Sequence, residues 1–149
     1  MSRRKWIMET ILLLLFILYV YTAGSKLINY NATVFQMNAQ PFDNKYTPFF
    51  VLGIPIAEFI VAGLLIFKRT LLKGLWASLF LLTLFTGYII LVKLNYYGTI
   101  PCSCGGVLKD LTWTKHLFFN LFFMGINIVG ILMERRGLQS RQFNTMSLS

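Results

Sequence analysis

The chain has 149 residues, enough for one domain, and is 56% hydrophobic, 16% aromatic and only 13% charged. Soluble domains carry about 25% charged residues, so this composition excludes an ordinary soluble protein and points to one that lives in lipid. The net charge of +9 would suit a nucleic-acid binder, but no basic patch with interleaved aromatic residues occurs, and most cations fall at the ends of apolar runs.

The first run, "WIMETILLLLFILYVY", covers Trp6 to Tyr21 and continues through "TAGSKL" to Leu27. A bilayer core of about 30 Å takes about 20 apolar residues as a helix. A helix also satisfies its own backbone polar groups, which lipid cannot do. The opening "MSRRK", an apolar stretch and then small residues share the outline of a secretory signal peptide. The lack of a clean A-x-A site and three further apolar runs favour a first transmembrane span. Lys26, at the far end of this span, is expected to snorkel to the membrane surface.

The next segment reads as a short interfacial helix from Asn31 to Met37, with Val34, Phe35 and Met37 dipping into lipid. Asn31-Ala32-Thr33 spells a glycosylation sequon, a motif too common to weigh. A second span follows from Pro48 to Phe67, "PFFVLGIPIAEFIVAGLLIF". Glu58 lies about ten residues, or about 15 Å, inside it. An ionisable group at that depth is costly and should face the bundle interior. It is either a glutamic acid hydrogen-bonded to a neighbouring helix, or a proton relay or quinone contact. Pro55, three residues earlier, is a candidate kink.

The third span, "LWASLFLLTLFTGYIILVKL", covers Leu75 to Leu94, with Lys93 expected to snorkel at its end. The fourth covers Trp113 to Met133. Its Trp113, His116, Asn120, Met124 and Asn127 recur at three- and four-residue spacing and share one helix face. Interhelical hydrogen bonding accounts for such a stripe. His116, nearest the preceding loop, can also move protons for chemistry there. The stretch 135–149 is expected to be a polar cytoplasmic tail, disordered over "LQSRQFNTMSLS" from Leu138 to Ser149.

Arg3, Arg4 and Lys5, then Lys68, Arg69 and Lys73, then Arg135, Arg136 and Arg141 put nine of the 14 cations on one side of this four-span arrangement. Cytoplasmic segments carry the Lys/Arg excess. Both termini are therefore expected in the cytoplasm, and the loops Ser25–Thr47 and Asn95–Thr112 outside. In a bacterium that outer side is the periplasm.

Both cysteines of the chain sit in the second outer loop, as "IPCSCGGVLKD" from Ile100 to Asp110. Disulfides form and persist in the periplasm. A disulfide needs Cα atoms about 4.4–6.8 Å apart, which residues i and i+2 reach only where the backbone bends. Pro101 fixes the approach and Gly105 and Gly106 supply permissive dihedrals. A strained, exposed disulfide is the exchange-prone kind, and Lys109 with the helix start near Thr112 would stabilise a thiolate. Two other readings stand beside exchange. One is a static bond, though so short a loop constrains little of the unfolded chain. The other is a metal site drawing on Cys102, Cys104, His116 and Asp110, although zinc sites usually take four ligands and no second cysteine pair is present.

Several stretches together resemble the MauE family of methylamine-utilisation membrane proteins, within the wider DoxX-like group. They are "YTAGSKLIN" closing span one, "IPIAEF" in span two, "LFTGYIILVKLNYYGTIPCSCGG" through span three and "LTWTKHLFFNLFF" opening span four. The resemblance runs from about Trp6 to Met133, and its most specific element is the C-x-C-G motif. It implies a four-helix inner-membrane protein that supports maturation of a disulfide-rich periplasmic protein, of the methylamine dehydrogenase kind, together with a thioredoxin-like partner. On this basis Cys102 and Cys104 match the cysteine motif, Glu58 the acid of span two and Asn120 the asparagine of span four.

The expectation is thus an all-α, four-span bundle with spans at about 6–27, 48–67, 75–94 and 113–133 and both termini cytoplasmic. It would be a thiol-disulfide oxidoreductase component of the inner membrane, with Cys102 and Cys104 exchanging, His116 carrying protons, and a quinone near Glu58 and Asn120 as electron partner. The rivals are a non-catalytic membrane assembly factor with structural cysteines, and a small carrier that uses Glu58 to couple protons to a solute.

Overall fold

A computed structural model describes residues 3–40, 43–96 and 113–146, without the side chains of 113 and 141–146. Both cysteines, Lys109 and Asp110 lie outside the described residues. The described chain is helical, with no strand: α1 Arg3–Ile28, α2 Tyr30–Asn38, a single 3-10 turn Asn44–Tyr46, α3 Thr47–Ile66, α4 Leu71–Lys93 and α5 Trp113–Met146. α1, α3, α4 and α5 are long and apolar enough to cross a membrane.

Each junction has a local cause. α1 ends at Asn29, whose backbone and side-chain nitrogens both donate to the Ser25 carbonyl at 3.1 Å. The Thr33 hydroxyl then folds α2 back by donating to the carbonyls of Lys26 at 3.0 Å and Asn29 at 3.1 Å. Thr47 opens α3 with its hydroxyl on the Asn38 side chain at 2.6 Å, and Pro48 occupies the first turn, where its missing N–H costs nothing. α3 runs unbroken through Pro55. Thr70 donates to the Leu64 carbonyl at 3.0 Å and reverses the chain between α3 and α4. α4 closes with Asn95 at φ 55°, its N–H on the Val92 carbonyl and the Tyr96 N–H on that of Leu91. This is the left-handed helix-ending motif that glycine and asparagine tolerate.

The four long helices close a ring in which α1 packs on α3 and α5, and α4 packs on the same two. α1 and α4 also touch across the middle through Tyr19 and Ser78. Side chains such as Leu13, Ile17, Phe80, Leu84, Phe122 and Leu132 remain exposed around the outside. On a soluble protein that surface would be an aggregation hazard; on a membrane bundle it is the face offered to lipid. The core that holds the ring is built from Ile11, Leu15, Val61, Ala62, Leu65, Leu71, Leu75, Leu82, Phe123 and Ile131.

Two expectations need correction here. The interfacial helix exists as α2, and Phe35 is exposed, but Met37 is buried against protein together with Thr33. α2 packs on α3, so the side of it that carries Met37 is covered by the bundle and not by lipid. The segment after Met133 continues as helix to Met146, where a disordered tail is expected from composition. It contains no proline, and Arg4 donates to the Met133 carbonyl and so ties the point of exit to α1. α5 has 34 residues, about 51 Å at helical rise, and outruns a hydrocarbon core of about 30 Å.

Candidate functional site

The polar groups of the bundle interior gather around α1. Lys26 turns inward, and its Nζ donates to both carboxylate oxygens of Glu58, at 2.7 Å and 3.0 Å. This overturns the snorkelling expected of Lys26. A carboxylate held inside the bundle by α3 offers an ammonium more than the surface does, because an unpaired charge at that depth is costly. Glu58 is 3% exposed, as its facing the bundle interior requires. The Lys26 ammonium also donates to the Thr22 carbonyl at 3.5 Å. The Phe85 ring of α4 stands 6.0 Å from the Lys26 ammonium, close enough for a cation–π contribution.

Lys26 and Phe85, like Tyr19 and Ser78, are 59 positions apart, as two parallel helices in register require. The second pair lies seven residues, or about 10 Å, nearer the chain ends. There the Tyr19 hydroxyl donates to the Ser78 carbonyl at 3.0 Å and sits 2.8 Å from the Ser78 hydroxyl. With its amide oxygen facing Ser78, Asn127 accepts that hydroxyl at 2.7 Å and donates to the Leu75 carbonyl at 3.3 Å. Asn127 is fully buried, so the network ties α1, α4 and α5 together at the bundle centre.

On the other side of the ion pair, Tyr88 donates to the buried Gln40 side chain. Lys93 donates to the Thr114 hydroxyl at 2.9 Å and so joins the end of α4 to the start of α5. Lys93 is therefore held at the exposed end of the bundle, in line with its expected place. His116 lies one turn into α5 and is half-buried, and its Nε2 is closed off from solvent with no hydrogen-bond partner among the described residues. The two helix ends that flank the cysteine segment thus meet at the α2 end of the bundle. The start of α1 meets α5 at the opposite end, through Arg4 and Met133.

From His116 to Asn127 the stripe predicted on α5 is buried or half-buried, while the side chain of Trp113 lies outside the described residues. Met124 meets the Thr86 hydroxyl at 3.4 Å, Asn127 closes the central network, and Asn120 is half-buried. Asn120 and Glu58 stand on α5 and α3, which lie diagonally across the ring with α1 and α4 between them. Two partners were missed from sequence, Lys26 for Glu58 and Tyr19 for Ser78. The signal for the first was present, since Lys26 is followed by Leu27 and Ile28 and so still lies within apolar sequence. Nothing distinguished Tyr19 or Ser78 from packing residues. Among the described residues, no three His, Cys, Asp or Glu side chains come together as metal ligands.

No curated protein and no solved structure gives a significant match to the chain. The family model of the methylamine utilisation protein MauE matches residues 4–133, which takes in all four spans, the ion pair and the cysteine segment. This multi-pass membrane chain belongs to the MauE family.

Proposed function

We propose that the protein exchanges thiol and disulfide equivalents at the periplasmic face of a bacterial inner membrane, through Cys102 and Cys104. Its partner in this reading is a periplasmic thioredoxin-like protein, and its product the maturation of a disulfide-containing periplasmic protein of the methylamine dehydrogenase kind. The observation that carries the reading is the C-x-C pair in the sequence between two helix ends that Lys93 and Thr114 hold together, with His116 in the first turn of α5. The excess of cations at the terminal end of the bundle supports a cytoplasmic location for that end and a periplasmic one for the cysteines.

In the oxidising direction, the two thiols lose two electrons and two protons to become a disulfide. A quinone that takes up both becomes a quinol, and Glu58 and Asn120 are its proposed contacts. His116 receives a proton from the attacking thiol through its unpartnered ring nitrogen. Exchange with a partner passes through a mixed disulfide, which persists when the resolving thiol is removed.

The experiment is to trap that species. Cys104→Ser should accumulate a covalent adduct between Cys102 and a periplasmic thioredoxin-like protein, lost on reduction, and Cys102→Ser should accumulate less. If neither variant yields an adduct and the double serine variant matures the partner normally, exchange is wrong. A non-catalytic assembly factor then takes its place.

A further inference from the structure

α1 and α5 run antiparallel along one seam of the bundle, since Arg4 meets Met133 and Gly137 while Ile11 meets Gly130. The seam residues are seven apart on both helices, Arg4 and Ile11 on α1 against Gly137 and Gly130 on α5. Gly137 makes room for Arg4, because a Cβ there would lie 3.1 Å from the guanidinium. Arg4 reaches across and donates to the Met133 carbonyl, yet remains exposed. A guanidinium carries five N–H donors in a planar fork, so donors remain for a second partner. Among the described side chains, no carboxylate lies within ion-pair distance of Arg4 or Arg136. Glu9 is taken by Lys5 at 3.9 Å, and Glu134, two residues before Arg136, is on the far side of α5 from it.

Apolar side chains flank the seam with the same period. Ile7 and Leu14 lie three residues beyond Arg4 and Ile11, and Phe122, Val129 and Arg136 form one row on α5. Residues seven apart drift by only about 20° around a helix, so each row is nearly straight. All five are exposed, which puts both rows on the outside of the ring, with Arg136 at the end of its row. The charged end of the seam also lies at the depth of a membrane surface. From Asn127, Met133 is about 9 Å and Gly137 about 15 Å toward the end opposite α2. From Ser78, the start of α4 is about 10 Å the same way. There the chain turns through exposed Lys68 and Arg69, and backbone that leaves a helix belongs outside the hydrocarbon.

We propose that the α1–α5 seam holds one anionic phospholipid from the leaflet at this end. Its phosphodiester sits between the Arg4 and Arg136 guanidiniums, and an acyl chain lies along the rows of Ile7 with Leu14 and Phe122 with Val129. A guanidinium fork matches two phosphate oxygens at once, where an ammonium acts as a point charge. Basic positions between spans are where anionic headgroups are held. The apolar rows decide for a lipid over free phosphate or an acidic protein segment. They run from the charged end into the lipid-facing surface, where only a hydrocarbon chain can follow them. This assignment does not rest on the thiol chemistry proposed above.

The test titrates the purified full chain, in neutral detergent, with phosphatidylglycerol or with phosphatidylcholine of the same acyl chains. Bound lipid is counted by native mass spectrometry. One phosphatidylglycerol should be retained at least about tenfold more tightly than phosphatidylcholine, as two cations on one phosphate require. Arg4→Gln with Arg136→Gln should bring retention down to the phosphatidylcholine level. Lys68→Gln with Arg69→Gln removes as much charge from the same end and should keep most of it. Arg136→Gln alone should weaken retention about fivefold, and because that side chain is exposed the result does not depend on the fold surviving loss of Arg4. Soluble glycerol phosphate at the same concentration should not displace the lipid. Equal retention of the two lipids overturns the site, and equal losses in the two double variants reduce it to a diffuse field. Displacement by glycerol phosphate overturns the acyl contact, and with it the choice of a lipid.

Discussion

Replacing Lys26 with methionine keeps most of the stem and removes the ammonium from the two Glu58 oxygens it holds at 2.7 Å and 3.0 Å. The Lys26 side chain is 14% exposed and that of Glu58 4%, so screening by solvent is slight and the pair behaves as a buried one. Breaking such a pair by removing one partner costs about 3–5 kcal/mol, because the remaining charge has no compensation. Replacing both partners with apolar groups of similar shape is about neutral. Lys26→Met and Glu58→Leu should therefore each destabilise the bundle by about 3 kcal/mol or more. The double variant should recover most of that loss and show a coupling of at least about 2 kcal/mol. The assay is reversible unfolding in mixed micelles, followed by helix content, for the four members of the cycle. Additive losses, or a Lys26→Met variant within about 0.5 kcal/mol of the parent, would show that the pair does not hold α1 to α3.

Gly74→Ala should cost about 1–3 kcal/mol in the same unfolding assay, because its methyl group meets Leu64 backbone and not the far end of a flexible side chain. Tyr19→Phe removes a hydroxyl shared with Ser78 and should cost about 0.6 kcal/mol, the average for a hydrogen bond between membrane helices; a loss above about 2 kcal/mol would mean that the network acts as a unit. A reporter fused after Ser149 should read as cytoplasmic, and a membrane-impermeant thiol reagent should reach reduced Cys102 or Cys104 in intact spheroplasts. Protection of the thiols until the membrane is broken would invert the orientation.

Long apolar runs and a low share of charge were enough to determine four spans, because a helix that must satisfy its own backbone in lipid announces itself by length and composition alone. The spans expected at about 6–27, 48–67, 75–94 and 113–133 sit within or beside the observed α1, α3, α4 and α5. Glu58 was legible as an inward-facing group for the same reason: a carboxyl at that depth has nowhere else to go. The inward stripe on α5 followed from helical periodicity, and the family from motif words. Tertiary structure decided what these residues meet. Lys26 looked like a surface cation because its place near a span end permits snorkelling, and only the docking of α3 against α1 gives its ammonium a better partner within reach. Ser78 and Tyr19 carry no periodic signal, and they became a network because parallel packing of α1 and α4 brings them level. Local chemistry fixed the elements, and long-range packing chose the partners.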